Sequence, residues 1–144
     1  MIKIISASET FSVRHPVLRA GKPIENCHFD GDELNVTRHF GFFEDQILVG
    51  VVSLFERKNA LFSEKNQYQI RGMAVLENYR EKGIGEKLIR FCENYFRSKD
   101  QIFWFNARLI AVGFYEKLGY KKIGLPFIIH DVGQHYMMFK QLGD

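Results

Sequence analysis

The sequence predicts a single α/β domain with a mixed β-sheet. Three observations point to this fold class. Short runs of β-branched and aromatic residues alternate with segments in which apolar residues recur at helical spacing. A glycine-containing turn joins one predicted strand directly to a helix, which is typical of a right-handed crossover between parallel strands. The chain has 144 residues, enough for one domain whose core needs no disulfide or metal.

The N-terminal part of the chain predicts a strand, a helix and a long loop. Ile2–Ser6 has the composition of a strand. Ser8–Arg19 combines a cap-like serine with apolar residues and predicts a helix, although Pro16 interrupts it. Ala20–Asn35 contains a proline and glycine turn signals, so we expect a loop. Long loops in compact domains often carry function.

The middle of the chain predicts three strands. Thr37–Arg57 predicts a hairpin, because two apolar runs flank the polar residues Glu44–Gln46. After a polar connection at Lys58–Asn66, Tyr68–Leu76 predicts a further strand. Gly72 lies inside this strand, where a glycine indicates a bulge or the close approach of another group.

The C-terminal part predicts two further helices and three strands. Helical spacing begins at Ile84 and continues to Phe96. Gln101–Phe105 is a short apolar run typical of a buried strand, and Ala107–Gly119 predicts a helix that ends at a glycine cap. Two final strands flank a turn at Asp131–Gly133. This order predicts that the strands on either side of the Ile84 helix are parallel.

Composition and charge exclude several classes of protein. No apolar run approaches the length of a membrane span, and the first residues lack the features of a signal peptide. Cys27 and Cys92 have neither metal-ligand nor disulfide spacing. The formal charge of +3 suits a small anionic ligand, whereas basic residues that alternate with acids do not favour nucleic acid. We therefore expect a cytoplasmic protein with no metal, no membrane partner and no nucleic-acid partner.

The segment ENYREKGIGEKLIRF, residues 77–91, places Arg80, Gly83 and Gly85 where a strand gives way to a helix. The first backbone N–H groups of a helix lack partners within it, and the helix dipole adds positive charge there. With Lys82 nearby, this turn suits a pyrophosphate, although a tight turn with no ligand explains the glycines equally well. The spacing is neither a dinucleotide-binding fingerprint nor a P-loop.

Two segments resemble the GNAT superfamily of N-acyltransferases. MAVLENYREKGIGEKLI is similar to its acyl-CoA signature, Gln/Arg-x-x-Gly-x-Gly/Ala, which Arg80, Gly83 and Gly85 match. NARLIAVGFYEKLGYKKIG is similar to a later segment of the family. The resemblance covers Tyr68–Gly124, and two motifs in the right order are more specific than one. The tail, GLPFIIHDVGQHYMM, is similar to the ElaA-like branch.

The resemblance implies one acyl-CoA N-acyltransferase domain over residues 1–144. It implies a mixed, mostly antiparallel sheet flanked by helices, with a splayed central pair of parallel strands. Acetyl-CoA is the implied co-substrate, and its contacts fall into three groups. Met73, Ala74 and Val75 pair with the pantetheine amides, Arg80, Glu81, Lys82, Gly83, Ile84, Gly85 and Glu86 hold the pyrophosphate, and Asn106 faces the pantetheine arm.

The implied reaction moves an acetyl group to a primary amine through a tetrahedral intermediate. Tyr115 matches the tyrosine that gives a proton to the departing thiolate, although a ring in a helix stripe is more often a core residue. The backbone N–H of Val75 is the candidate oxyanion donor. Gln69 occupies the position where some members carry a glutamate base. No base is therefore assigned, and five candidates by residue type are interpreted as surface or turn residues: His39, Glu64, His130, Asp131 and His135.

Three functions remain open at this point. An acetyl-CoA-dependent N-acetyltransferase that acts on a small-molecule or peptide amine is favoured, as a monomer or homodimer. The alternatives are a catalytically inactive acyl-CoA binding or sensing module and a nucleic-acid binder, which the scattered charges disfavour. The acceptor depends on the loops Ala20–Asn35 and Lys58–Asn66 and on the last hairpin. The acidic group Asp30, Asp32 and Glu33 attracts a cationic amine or is simply solvated.

Overall fold

A computed structural model describes residues 1–143 and contains seven β-strands and three α-helices. In chain order the elements are β1 (Ile2–Ile5), α1 (Phe11–Leu18), β2 (Arg38–Glu44), β3 (Ile47–Glu56), β4 (Asn66–Val75), α2 (Ile84–Tyr95), β5 (Gln101–Arg108), α3 (Val112–Lys117), β6 (Lys121–Ile129) and β7 (Gly133–Leu142). This is the order of elements that the sequence predicts.

The strands form a mixed sheet in the order β1-β2-β3-β4-β5-β7-β6. β4 and β5, on either side of α2, are parallel, whereas β1 with β2, β2 with β3, β5 with β7 and β6 with β7 are antiparallel. The parallel ladder joins Asn66–Gln69 to Gln101–Trp104, and both strands continue beyond it, to Val75 and Arg108. The predicted fold class, a mostly antiparallel sheet with one parallel pair, is confirmed.

The chain divides into two compact units. The first comprises Met1–Glu56 and Ile70–Phe96, and the second comprises Arg57–Gln69 and the residues from Arg97 onward. β4 contributes its first four residues to the second unit and the remainder to the first.

In the first unit, α2 packs against β2 and β3. Phe40 of β2 is fully buried, and its ring centroid lies 5.2 Å from that of Phe91 and 4.9 Å from that of Tyr95 on α2. A Cβ atom at Gly50 of β3 would lie 2.9 Å from Cγ2 of Ile84, the first residue of α2. The glycine therefore allows the start of the helix to approach the strand closely.

In the second unit, α3 packs on β5 through aromatic rings. The centroid of Phe105 lies 4.3 Å from that of Tyr115 on α3 and 5.1 Å from that of Tyr120. Trp104, the preceding residue, donates from Nε1 to the carbonyl oxygen of Arg57 at 3.0 Å. Successive strand residues face opposite sides of a sheet, so the connection that begins at Arg57 and helix α3 lie on different faces of β5.

The predicted boundaries of the last helix are wrong. The sequence predicts a helix over Ala107–Gly119, but β5 continues to Arg108, a 3-10 turn follows at Leu109–Ala111, and α3 spans only six residues. The physical reason is the neighbouring strand, because Ala107 and Arg108 pair with β7. Asn106 therefore lies inside β5, and Arg108 is at its end.

Candidate functional site

The turn between β4 and α2, residues 80–86, is called the glycine junction below. A 3-10 turn, Glu77–Tyr79, precedes it, and α2 begins at Ile84. Gly83 is the N-cap residue with φ +77°, a conformation that favours glycine. A Cβ atom there would meet nothing within 4 Å, and among residues 1–143 no side chain caps this helix. The junction thus presents the first N–H groups of α2 beside open space.

Cationic side chains surround the glycine junction. Nε of Arg80 donates to the carbonyl oxygen of Val75 at 3.2 Å, which fixes the guanidinium near the end of β4. Nζ of Lys82 lies 3.9 Å from a carboxylate oxygen of Glu44 and 5.2 Å from the ring centroid of Tyr79. These charges and the positive end of the α2 dipole act in the same direction, so the junction can bind an anion such as a phosphate group.

The end of β4 that leads to the glycine junction is irregular. Gly72 has φ +66°, and a Cβ atom there would lie 2.9 Å from Cε2 of Phe29 and 3.3 Å from Nε of Arg14. Both the backbone conformation and the close packing therefore require glycine. The N–H of Leu76 donates to the carbonyl oxygen of Val49 at 2.8 Å, which ties the strand end to β3. The predicted irregularity at Gly72 is confirmed.

Behind this strand lies a buried polar group of four residues, Arg14, Asp32, His39 and Ser53, called the Arg14 cluster below. Arg14 on α1 is fully buried and forms a bidentate ion pair with Asp32, with nitrogen–oxygen distances of 2.7 and 3.1 Å. The guanidinium also donates to Oγ of Ser53 at 3.0 Å and to the carbonyl oxygen of Cys27 at 2.8 Å. The pair thus anchors the long loop to helix α1 and strand β3.

His39 completes the Arg14 cluster. Its Nδ1 lies 2.6 Å from Oγ of Ser53, and its Nε2 lies 2.9 Å from the backbone oxygen of Asp32. Burial lowers the pKa of His39 below its usual value, despite the opposing effect of Asp32, so folding favours the neutral ring. The pKa of Asp32 is also lowered, because the hydrogen bonds from Arg14 and Phe29 outweigh burial, which opposes ionisation.

The interpretation of Asp32 and His39 as solvated or surface residues is therefore wrong. Both are buried, at 3% and 4% exposure. The role of Arg14 is not predicted by the sequence, because its partner Asp32 is 18 residues away and no spacing links the two. The one available signal is weak: Arg14 lies beside Val13 and near Val17 in a predicted apolar helix. Ion-pair partners that are this far apart in the sequence are brought together by tertiary packing.

The second unit contains Tyr115 and Asn106. Tyr115 is 7% exposed and packs its ring on Phe105, whereas the next strand residue, Asn106, is exposed. Since neighbouring strand residues face opposite sides, β5 separates these two predicted site residues. Met73, Ala74, Val75 and the glycine junction, in contrast, form one continuous segment of the first unit.

The remaining base candidates belong to three different segments: a loop, a turn and strand β7. His130 and Asp131 occupy an exposed turn, as expected, with a nitrogen–oxygen distance of 3.4 Å. Oε2 of Glu64 accepts a hydrogen bond from Gln141 at 2.6 Å. His135 is buried, contrary to its interpretation as a surface residue, and stacks on Phe127. Within residues 1–143, no group of three side chains could hold a metal ion, and no helix is long and apolar enough to cross a membrane.

Comparison with known proteins identifies a family and its fold. Residues 4–120 match the model of the acetyltransferase (GNAT) family. A protein of Bacillus subtilis (strain 168), named uncharacterized N-acetyltransferase YitI, is 38% identical over 142 residues, which cover 98% of this chain and 95% of that protein. The family resemblance seen in the two sequence motifs is confirmed.

Solved structures with similar folds share little sequence with the chain. Escherichia coli ElaA has a TM-score of 0.73 at 17% identity, and the match covers 98% of this chain and 99% of that chain. An aminoglycoside 6'-N-acetyltransferase complexed with coenzyme A has a TM-score of 0.75 at 13% identity, with 97% and 96% covered. These identities establish a shared fold.

The Arg14–Asp32 pair predicts a large effect on stability. Asp32→Ala leaves the Arg14 charge buried without its partner, and we expect the free energy of unfolding to fall by about 3–5 kcal/mol. Replacing both partners, Arg14→Met with Asp32→Leu, should cost less, because no charge stays buried. Urea denaturation measures both. Glu44→Gln, which breaks an exposed pair with Lys82, is the control and should cost under about 1 kcal/mol. An equally small loss for Asp32→Ala would contradict the anchoring role.

His39 predicts a pH dependence of stability. Because its pKa is lowered in the folded state, the unfolded chain binds more protons, so stability is complete above the ordinary pKa of 6.5 and falls as the pH drops below it. Denaturation measured at pH 7.5 and 5.5 should show this loss of stability at the lower pH. In His39→Gln the difference between the two pH values should be smaller. His130→Gln, at a side chain that is 95% exposed, should leave the slope unchanged. Equal slopes in the wild type and His39→Gln would exclude His39 as the source.

Proposed function

Because the chain belongs to the acetyltransferase (GNAT) family, we propose that it transfers an acetyl group from acetyl-CoA to a primary amine of a small molecule or peptide. Acyl transfer is the chemistry of the family. The proposal that acetyl-CoA is the donor rests on the glycine junction. There, uncapped helix N–H groups, a left-handed glycine and cations meet beside open space. A pyrophosphate supplies the charge and the size that this surface accepts.

The proposed acetyl-CoA site follows the chain from β4 into α2. Backbone groups of Met73, Ala74 and Val75 would pair with the pantetheine amides as an added strand does. The N–H groups from Glu81 to Glu86, together with Arg80, would hold the pyrophosphate. Support for this arrangement comes from β4 itself, which runs past the end of its parallel ladder at Gln69. We also retain Asn106 as a proposed pantetheine contact.

The reaction needs a neutral amine, a stabilised oxyanion and a protonated leaving group. The amine nitrogen attacks the thioester carbon, and its lone pair forms the new C–N bond. The N–H of Val75 is proposed to stabilise the oxyanion of the tetrahedral intermediate. When the intermediate collapses, the C–S bond breaks and the thiolate takes a proton, which we assign to the hydroxyl of Tyr115. The amide product is neutral once the nitrogen loses its extra proton.

No side chain is assigned as the general base. His39 is unsuited, because both ring nitrogens have partners inside the Arg14 cluster. We propose that the amine arrives neutral or loses its proton through water. The charge of Asp32 is paired with Arg14, so this carboxylate is not available to attract a cationic acceptor. A screen of amines with thiol release as the readout tests the proposed function. Acetyl-CoA binding without thiol release for any amine would instead favour a binding or sensing module.

Gly83 predicts an effect on acetyl-CoA binding. Gly83→Val places a side chain where the pyrophosphate would lie, and we expect the dissociation constant to rise about tenfold or more, as for one lost hydrogen bond to a charged group. Calorimetry measures it. Gly21→Val is the matched control, because Gly21 also has φ +77° and open space, so both variants carry the same backbone strain. An unchanged affinity in folded Gly83→Val would refute pyrophosphate binding at the junction.

Tyr115 predicts an effect on turnover. Tyr115→Phe keeps the ring packing on Phe105 and removes the proton, so kcat should fall by about 10²-fold or more while acetyl-CoA affinity changes little. Tyr120→Phe is the control, because Tyr120 is also buried and its ring lies 6.1 Å from that of Tyr115. If Tyr115→Phe weakens acetyl-CoA binding but keeps the turnover at saturation, Tyr115 is a structural or binding residue.

A further inference from the structure

The hydrogen bonds of the Arg14 cluster run in one direction, which sets the tautomer of His39. A backbone oxygen only accepts, so Nε2 of His39, 2.9 Å from the oxygen of Asp32, carries a hydrogen. The guanidinium of Arg14 only donates, so Oγ of Ser53 accepts from it at 3.0 Å. The hydroxyl hydrogen of Ser53 is then donated to Nδ1 of His39, 2.6 Å away. This arrangement satisfies Ser53 and His39 only while the ring is neutral.

Protonation of the His39 ring disrupts this arrangement. Both nitrogens of a charged imidazole are donors, so Nδ1 would direct a hydrogen at the oxygen of Ser53. The hydroxyl hydrogen of Ser53 then has to turn away from the ring, although Ser53 is fully buried and has no exposed surface where water could accept it. The oxygen that joins Arg14 to His39 therefore loses its place between the two side chains when the ring becomes charged.

The charged groups around His39 come from three segments: Arg14 of α1, Asp32 and Glu33 of the loop, and Arg71 of β4, whose guanidinium lies over the Phe55 ring that His39 contacts. Burial is the largest cause that lowers the pKa of His39, and the charge of Arg14 adds to it, whereas Asp32 and Glu33 act in the opposite direction. The carboxylate of Asp32, 3.9 Å from Nε2, is already paired with Arg14. A proton on His39 therefore adds a charge that this pair does not offset.

Arg14 connects His39 to the strand of the proposed acetyl-CoA site. Among residues 1–143, Nε of Arg14 has no hydrogen-bond partner, and it faces β4, where a Cβ atom on Gly72 would lie 3.3 Å away. The guanidinium also stacks on Phe29, with Cζ 3.9 Å from the ring centroid, and that ring fills the remaining space beside Gly72. A shift of Arg14 therefore reaches the left-handed backbone of Gly72 directly, and residues 73–75 follow in the same strand.

We propose that protonation of His39 weakens the binding of acetyl-CoA, because it releases Arg14 from Ser53 and so disturbs the backbone of β4 at Gly72. The proposal rests on the proposed acetyl-CoA site, and His39 is a positioning residue that acts through Arg14. Because the pKa of His39 already lies below its usual value of 6.5, the affinity is complete at neutral pH and falls in acid. Linkage is reciprocal, so acetyl-CoA must lower the pKa of His39 further when it binds.

The test measures acetyl-CoA affinity by calorimetry at pH 7.5 and 5.5. Between these values the dissociation constant of the wild type should rise about fivefold more than that of His39→Gln, the lower end of couplings between sites. Glutamine suits the comparison because its amide can donate to the oxygen of Asp32 and does not titrate. His130→Gln, at an exposed side chain, should follow the wild type. The phosphate monoester of CoA also titrates at about pH 6, but equally for all three proteins. Equal pH dependence in folded wild type and folded His39→Gln would overturn the proposal.

An NMR titration of the wild type needs no variant. The imidazole signals of His39 should titrate with a lower midpoint when acetyl-CoA is bound, and an unchanged midpoint would overturn the proposal, as would a ring that stays neutral until the chain unfolds. In Ser53→Ala the link between the ring and the guanidinium is absent, so acetyl-CoA should shift the midpoint less than in the wild type. A shift as large as that of the wild type would refute the route through Ser53.

The same measurements separate this proposal from the proposed function. If the wild type does not bind acetyl-CoA at pH 7.5, the proposed acetyl-CoA site fails, and the coupling to His39 fails with it. Binding at pH 7.5 without any link to the protonation of His39 overturns the coupling alone.

Discussion

The first unit depends on one buried interaction, the ion pair between Arg14 and Asp32. Two charges with no exposed side-chain surface are tolerated only because their geometry is bidentate and their remaining groups are hydrogen-bonded. The pair joins α1 to the loop, Ser53 adds β3, and His39 adds β2. The loop also buries Cys27 and Phe29, and the ion pair adds a polar attachment to this apolar contact.

The same interaction shapes the strand that leads to the proposed acetyl-CoA site. Arg14 and Phe29 occupy the space beside Gly72 that a side chain would need, which restricts this position of β4 to glycine and accommodates its left-handed backbone. Met73, Ala74 and Val75 follow directly. The Arg14 cluster therefore supports the irregular strand segment whose backbone we propose to pair with pantetheine.

Local features of the fold and site could be predicted from the sequence, and features set by distant partners could not. The helix from Ile84 and the turn at Gly83 follow from local periodicity and local backbone conformation. The extension of β5 to Arg108 follows from pairing with β7, which local propensity does not report. The burial of Asp32 and His39 likewise follows from Arg14, whose contacts span 18 and more residues. From the sequence alone, Asp32 and His39 are expected to be solvated, because the cation that accounts for their burial lies elsewhere in the chain.

The placement of charge bears on the choice of acceptor. Lys82 at the glycine junction is half-exposed and suits an anionic co-substrate, whereas Asp32 and His39 are paired or neutral, and Gln69 is uncharged. With no assigned base, the reactive species is the fraction of amine that is already neutral. At pH 7 a lysine-like amine is neutral in only about one molecule in 2,500, and an α-amino group in about one in ten. The proposed mechanism therefore favours acceptor amines of low pKa, since each unit of pKa above the working pH lowers the reactive fraction about tenfold.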